Sequence, residues 1–177
     1  MLKVSTLNKK SLDRSHPLRK ELREKIFDFE ELLMQNENVL IGDNQVCPLK
    51  HSFTDGIYVR EIRIPAGTYL TGKIHKHKHP NFLMSGIVEV ITEGRGPELL
   101  EGPLSMISED GTKRMLHCLT DTWWITVHSN PSNTEDLEKL ENIVIAKDYE
   151  EYEKFRKLQE NPIIRFLRKF KLKLSLR

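Results

Sequence analysis

The sequence predicts a mainly β domain, a sandwich or barrel, with a helix before it and helices after it. Three observations carry that expectation. Short β-like runs begin at Gly56 and recur at close intervals, divided by the turn signals Pro65-Ala66-Gly67, Glu93-Gly94-Arg95-Gly96-Pro97, Glu101-Gly102-Pro103 and Glu109-Asp110-Gly111. Upstream, Leu18, Leu22, Ile26, Phe29 and Leu33 repeat at helical spacing. Downstream, Asn130-Pro131-Ser132-Asn133 ends the β pattern and helical spacing returns.

The elements follow in order. Residues 1 to 16 read as a polar arm. Ser15-His16-Pro17 reads as a helix start, proline being suited to the first turn. The helix is expected to run to about Gln35, and Asn36 to Asp55 reads as loop. A strand pattern covers Thr68 to Thr71, and another runs from Phe82 through Ile91. The last strand is Trp123 to His128. Asn133 or Thr134 then caps an acidic helix with the stripe Leu137, Leu140 and Val144. Asp148 caps a further helix with Tyr149, Tyr152 and Phe155 on one side. The chain thus divides into an N-terminal arm and helix (1–50), a β-barrel (51–130) and a C-terminal helical extension (131–177).

Composition narrows the function. Of 177 residues, 31% are charged and 38% hydrophobic, which suits one globular domain with a sizeable core. The net charge of +2 marks neither nucleic acid nor a membrane as partner. No apolar run approaches the roughly 20 residues that cross a bilayer. Two cysteines, Cys47 and Cys118, make no disulfide framework, and a reduced cytoplasmic compartment is expected. There is no P-loop, dinucleotide fingerprint, nucleophile elbow or Cys-x-x-Cys pair. Residues 162–177 hold six basic side chains beside Ile163, Ile164, Phe166, Leu167 and Phe170, with no acid. That tail is expected either to meet a partner protein, nucleic acid or an anionic surface, or to pack as a last helix.

The run Gly72-Lys73-Ile74-His75-Lys76-His77-Lys78-His79-Pro80-Asn81 carries the chemistry. On one strand, side chains two apart share a face, so His75, His77 and His79 would form an imidazole row with Lys76 and Lys78 turned to solvent. Imidazole is the commonest metal ligand. The ends of such a row lie about 13 Å apart, so three rungs reach one ion only across a bend, for which Pro80 is a candidate. Two of the three, with a ligand from another strand, fit better. His128, sharing a face with Thr126 and Trp124, is the candidate for that ligand. His117 is a weaker one, and His51 and His16 read as ordinary. Asn81, on the face of the row, would bond a ligand or tie down a loop.

These residues resemble the signatures of the cupin superfamily over roughly residues 50 to 130. The first signature is a glycine, His-x-His, a carboxylate and a closing glycine. Gly86 matches the closing glycine, and His79 stands where the family usually has glutamate. The second, Pro-x-Gly-x-x-His, is matched by Glu109-Asp110-Gly111-Thr112-Lys113-Arg114, which keeps the glycine and puts arginine in place of histidine. The chain is also similar to an uncharacterised, often phage-encoded group of cupin-like proteins through Gly56 to Glu61, Gly72 to Lys76, Gly111 to Arg114 and Trp124 to His128.

The resemblance implies a double-stranded β-helix, or jelly roll. It also implies a divalent ion (iron, manganese, nickel or zinc) on His75, His77, His79 and His128, and frequent homo-oligomers. Dioxygenase or isomerase chemistry on a small anionic molecule would follow, with Arg114 orienting it. Arg114 is otherwise expected to pair with Glu61 or Glu89. The second reading is a non-enzymatic structural or interaction protein, such as a phage accessory or virion component.

Overall fold

The structure is a computed structural model that describes residues 12–39, 45–164 and 166. Helix α1 (Pro17–Met34) starts as the sequence suggests: Pro17 opens its first turn, and the Nδ1 of His16 accepts from Leu18 N at 3.2 Å. Its inner face differs from the expected stripe at one end. Leu18 is exposed and Arg19 is buried instead, because a carboxylate of the barrel waits beneath it.

Eleven strands follow among the described residues: β1 (Leu49–Thr54), β2 (Gly56–Ile64), β3 (Tyr69–Thr71), β4 (Ile74–His75), β5 (His79–Ser85), β6 (Ile87–Thr92), β7 (Gly96–Glu101), β8 (Leu104–Ser108), β9 (Arg114–Cys118), β10 (Thr122–Asn130) and β11 (Ile145–Ala146). Helix α2 (Leu137–Val144) precedes β11, and α3 (Tyr149–Glu160) follows it. Strand β1 lies where the sequence reads as loop. It is polar (Lys50, His51, Ser52) and pairs along its length with β2 as an edge strand.

All pairings are antiparallel. One sheet has the order β1-β2-β10-β5-β8, and the facing sheet β3-β9-β6-β7. Leaving out β1, β4 and β11, eight strands cross between the sheets at every step but the β6–β7 hairpin, so that the first sits beside the last, the second beside the seventh, the third beside the sixth and the fourth beside the fifth. That is a jelly roll, a double-stranded β-helix of mainly antiparallel strands. The core fills the space between the sheets with Ile64, Leu83, Val88, Val90, Leu116 and Trp124, all at most 5% exposed.

The register places one end of the barrel at the start of β5 and β9 and the end of β6, β8 and β10. There His79 pairs with Ser108, Thr92 with Arg114, and His128 with Tyr58. The C-terminal extension closes over that end. Strand β11 pairs with β4, setting Ile145 beside His75, and Leu140 and Val144 of α2 pack on Tyr58. Asp136 and Asp148 cap the two helices by accepting from Lys139 N at 3.1 Å and Glu151 N at 2.7 Å. Of the basic tail, most lies outside the described residues. Ile163 and Phe166 are exposed. No helix among the described residues is long and apolar enough to cross a membrane.

Candidate metal centre

The His-Lys-His-Lys-His run is not one strand. It breaks at residues 76–78, between β4 and β5, ahead of Pro80. Lys76 explains the break. Its backbone N–H donates to Val144 O at 2.8 Å, and its ammonium meets Glu151 at 2.6 Å and Asn142 O at 2.9 Å. It is thus turned to the C-terminal extension, not to solvent. Lys78 pairs with Glu109 at 2.6 Å.

The break brings His75 and His79 together. Their ring centroids are 4.1 Å apart, and His128 stacks on His75 at 5.0 Å and lies 4.6 Å from His79. One ring nitrogen from each of the three lies within 4.8 Å of the others. His77 does not join them. Its ring meets Phe155 edge-on at 5.1 Å, and its carbonyl faces His79 Nδ1 at 3.1 Å. A carbonyl only accepts, so that contact places the His79 proton on Nδ1 and leaves Nε2 with its lone pair turned elsewhere.

The donor set suits a metal. The Nδ1 of His75 is buried without a hydrogen-bond partner. An orphaned buried polar atom costs about 1–3 kcal/mol unless something satisfies it. Burial holds all three rings neutral: His79 is pushed down to about 4 and His128 to about 3, and His75 lies well below the ordinary histidine value, mutual repulsion adding to desolvation for His75 and His128. Neutral imidazole is the form that binds metal.

That neutrality has a measurable consequence. In metal-free protein the unfolded chain takes up protons first as pH falls below about 6.5, while the folded rings resist. The stability present at neutral pH is therefore lost as pH falls, by about 1.4 kcal/mol per unit for each resisting ring. Urea unfolding in chelator at pH 7, 6 and 5, above the carboxylate range, is expected to show this slope, and His128→Gln to flatten it. A level profile would mean that the rings protonate freely in the fold.

Neighbouring groups hold the three rings in place. Tyr58 stacks on His128 at 5.9 Å and on His51 at 5.8 Å, its hydroxyl 2.7 Å from His51 Nδ1. His51, ordinary on sequence grounds, therefore backs the site from β1. The His75 carbonyl accepts from Gly111 N at 2.8 Å. Gly111 has φ +65°, and a Cβ there would stand 2.3 Å from the Tyr152 ring. Gly111→Ala is expected to destabilise the fold by about 2–4 kcal/mol and to weaken any bound metal by moving His75. Thermal melts and metal titration check both. A neutral result would detach α3 from the site.

The remaining candidates separate. Asn81 is 1% exposed and braces the interior: its Nδ2 donates to Ser108 Oγ at 2.6 Å, and its Oδ1 accepts from Trp124 Nε1 at 3.0 Å. His117 lies away from the cluster, stacked on Tyr69 at 4.0 Å with Glu89 at 3.0 Å. Arg114 is half-buried and donates to Ser108 Oγ. Its expected partners are engaged elsewhere, Glu61 by Lys50 at 3.0 Å and Glu89 by His117. Desolvation, and then the nearby Arg95, push Arg114 down to about 10. It lines a cavity with Val90, Arg95, Leu100, Met106 and Thr112.

No family model and no curated protein matches the sequence. Solved structures similar to this chain include KdgF from Halomonas sp., with TM-score 0.44 and 16% identity, covering 55% of this chain and 90% of that one. Ectoine synthase from P. lautus has TM-score 0.46 and 14% identity, with 63% and 82% covered. Salicylate 1,2-dioxygenase from Pseudoaminobacter salicylatoxidans has TM-score 0.46 and 14% identity, with 72% of this chain and 36% of that one covered.

Proposed function

We propose that this chain is a cupin-like metal-binding protein that holds one divalent ion through His75, His79 and His128 and receives a small anionic molecule beside it. The observation that carries the reading is the convergence of three neutral imidazoles, one with an orphaned buried nitrogen. Iron, manganese, nickel and zinc all suit such ligands, and any of them would supply Lewis acidity and open coordination positions. His77 serves through its carbonyl, which orients His79. Arg114 offers the anion its charge, and Asn81 holds Ser108 against it.

Elemental analysis of protein purified without affinity metal, then loaded with each ion in turn, tests this. About one ion per chain is expected. Less than about a tenth with every ion would overturn the reading.

One observation favours the second reading, a non-enzymatic interaction protein of the phage accessory kind, in the cytoplasm or on a virion. Arginine stands at the position of the fourth ligand in the resembled family, and the cluster has three protein donors among the described residues. Self-association belongs to either reading. Phe82, Met84 and Ile107 are exposed on the outer face of the larger sheet, which no helix among the described residues covers.

A further inference from the structure

The two sheets of the barrel differ on their outer sides. Helix α1 covers the smaller sheet: Phe29 packs on Tyr69, and Glu30 accepts from the Thr71 hydroxyl at 2.7 Å. Helix α2 meets the larger sheet only at the barrel mouth, on inward Tyr58, and no helix among the described residues lies over its outer face. An antiparallel face turned to water ordinarily reads polar. Here the register joins Val59 to Val127, Ile125 to Phe82 and Pro80 to Ile107, an apolar row across β2, β10, β5 and β8. These residues alternate with the buried Tyr58, His128, Trp124, Leu83 and Ser108, so they point outward.

Polar groups of the same face keep to its margins. Lys50 and Ser52 stand on the edge strand β1, and Ser105 on the edge strand β8. Glu61 takes Lys50 at 3.0 Å, and the Arg63 guanidinium stacks on Trp123 at 3.8 Å. An apolar centre, a polar rim and a stacked tryptophan–arginine pair make the composition of a protein interface. Five strands, two of them nine residues long, span roughly 24 by 30 Å, which approaches the ~800 Å² a side that a stable pair buries. The outward strand residues hold two bases, Lys50 and Arg63, and one acid, Glu61. Such a face offers little to nucleic acid or an anionic surface, and it does not repel its own copy.

We propose that the outer face of the larger sheet is a two-fold interface with a second copy of this chain, sheet against sheet, with Ile125, Val127 and Phe82 at its centre and Trp123 with Arg63 at its rim. This rests on the self-association named above and gives it a surface and a symmetry.

Sedimentation equilibrium of the full chain across micromolar concentrations tests it. A dimer is expected. Phe82→Glu and Ile107→Glu should each raise its dissociation constant at least about 30-fold, with circular dichroism and metal content unchanged. Ile125 lies near the middle of β10, the central strand of the five, so Ile125→Cys should cross-link copy to copy under diamide well beyond the parent chain. A monomer at every concentration overturns the proposal and leaves the metal reading untouched. A dimer that both glutamate variants keep also overturns it. So does one lost in Phe166→Glu instead, which would seat the contact on the C-terminal tail. Should the glutamate variants fail to fold, the cysteine variant decides: a dimer that does not cross-link through residue 125 refutes the face.

Discussion

Replacing His79 with alanine is expected to abolish divalent-ion binding by the proposed site, while replacing His77 with alanine leaves it in place. His79 is 3% exposed, its Nδ1 is held by a carbonyl, and its ring lies among the other two imidazoles. Losing a partner that merely orients a ligand weakens metal sites by about 10–100-fold, so losing one of three ligands should exceed that range. His77→Ala removes a ring that packs on Phe155 and keeps the carbonyl that matters. Metal per chain after dialysis, with circular dichroism to confirm the fold, separates the two. If His77→Ala empties the protein and His79→Ala does not, the ions are held by the solvent-side row and the cluster is only packing.

The largest effect on stability is expected at Glu93. This carboxylate is fully buried and gathers both ends of the chain. Arg23 Nε of α1 donates to it at 2.6 Å, Tyr149 of α3 donates its hydroxyl at 2.9 Å, and Arg19 approaches to 3.6 Å. Burial and the neighbouring carboxylate push the Tyr149 hydroxyl far above its ordinary range, so it stays a donor. Glu93→Ala strands a 4% exposed guanidinium beneath a helix. Removing one partner of a buried pair costs about 3–5 kcal/mol. Urea unfolding should show that loss, and Arg19→Met added to Glu93→Ala should recover part of it. A loss below about 1 kcal/mol would show that Glu93 does not anchor the helices and that their other contacts, such as Lys113 with Glu30 at 2.8 Å, hold them.

Glu93 also shows where sequence reading stops. The turn Glu93-Gly94-Arg95-Gly96-Pro97 is legible as a turn from its glycines and proline, but nothing local tells that its acid turns inward to meet arginines from a distant helix. The two-sheet fold was legible because alternation and turn chemistry are local properties, and jelly-roll order followed from the resemblance. The helix caps His16 and Asp148 were legible for the same reason. His75, His79 and His128 were within reach because rung spacing forbids three ligands from one straight strand. The displacement of His77 was not, since it depends on Lys76 being drawn to Glu151 and Val144. Strand β1 was missed because an edge strand with one exposed face needs no hydrophobic run.

The pairing of β11 with β4 bears on when the centre comes into being. All three imidazoles precede residue 145, so a growing chain has emerged with its full complement of donors well before β4 has a neighbour. Until α2, β11 and α3 arrive, Lys76 lacks Val144, Asn142 and Glu151 as partners and β4 lacks its strand neighbour, the His75 carbonyl keeping only Gly111 N. Contacts between such distant positions form late, after the loop between them has closed. The gathering of the three imidazoles is thus expected to come late in folding rather than to act as its nucleus. A chain stopped after His128 carries all three imidazoles but lacks the partners that draw Lys76 aside and pair β4.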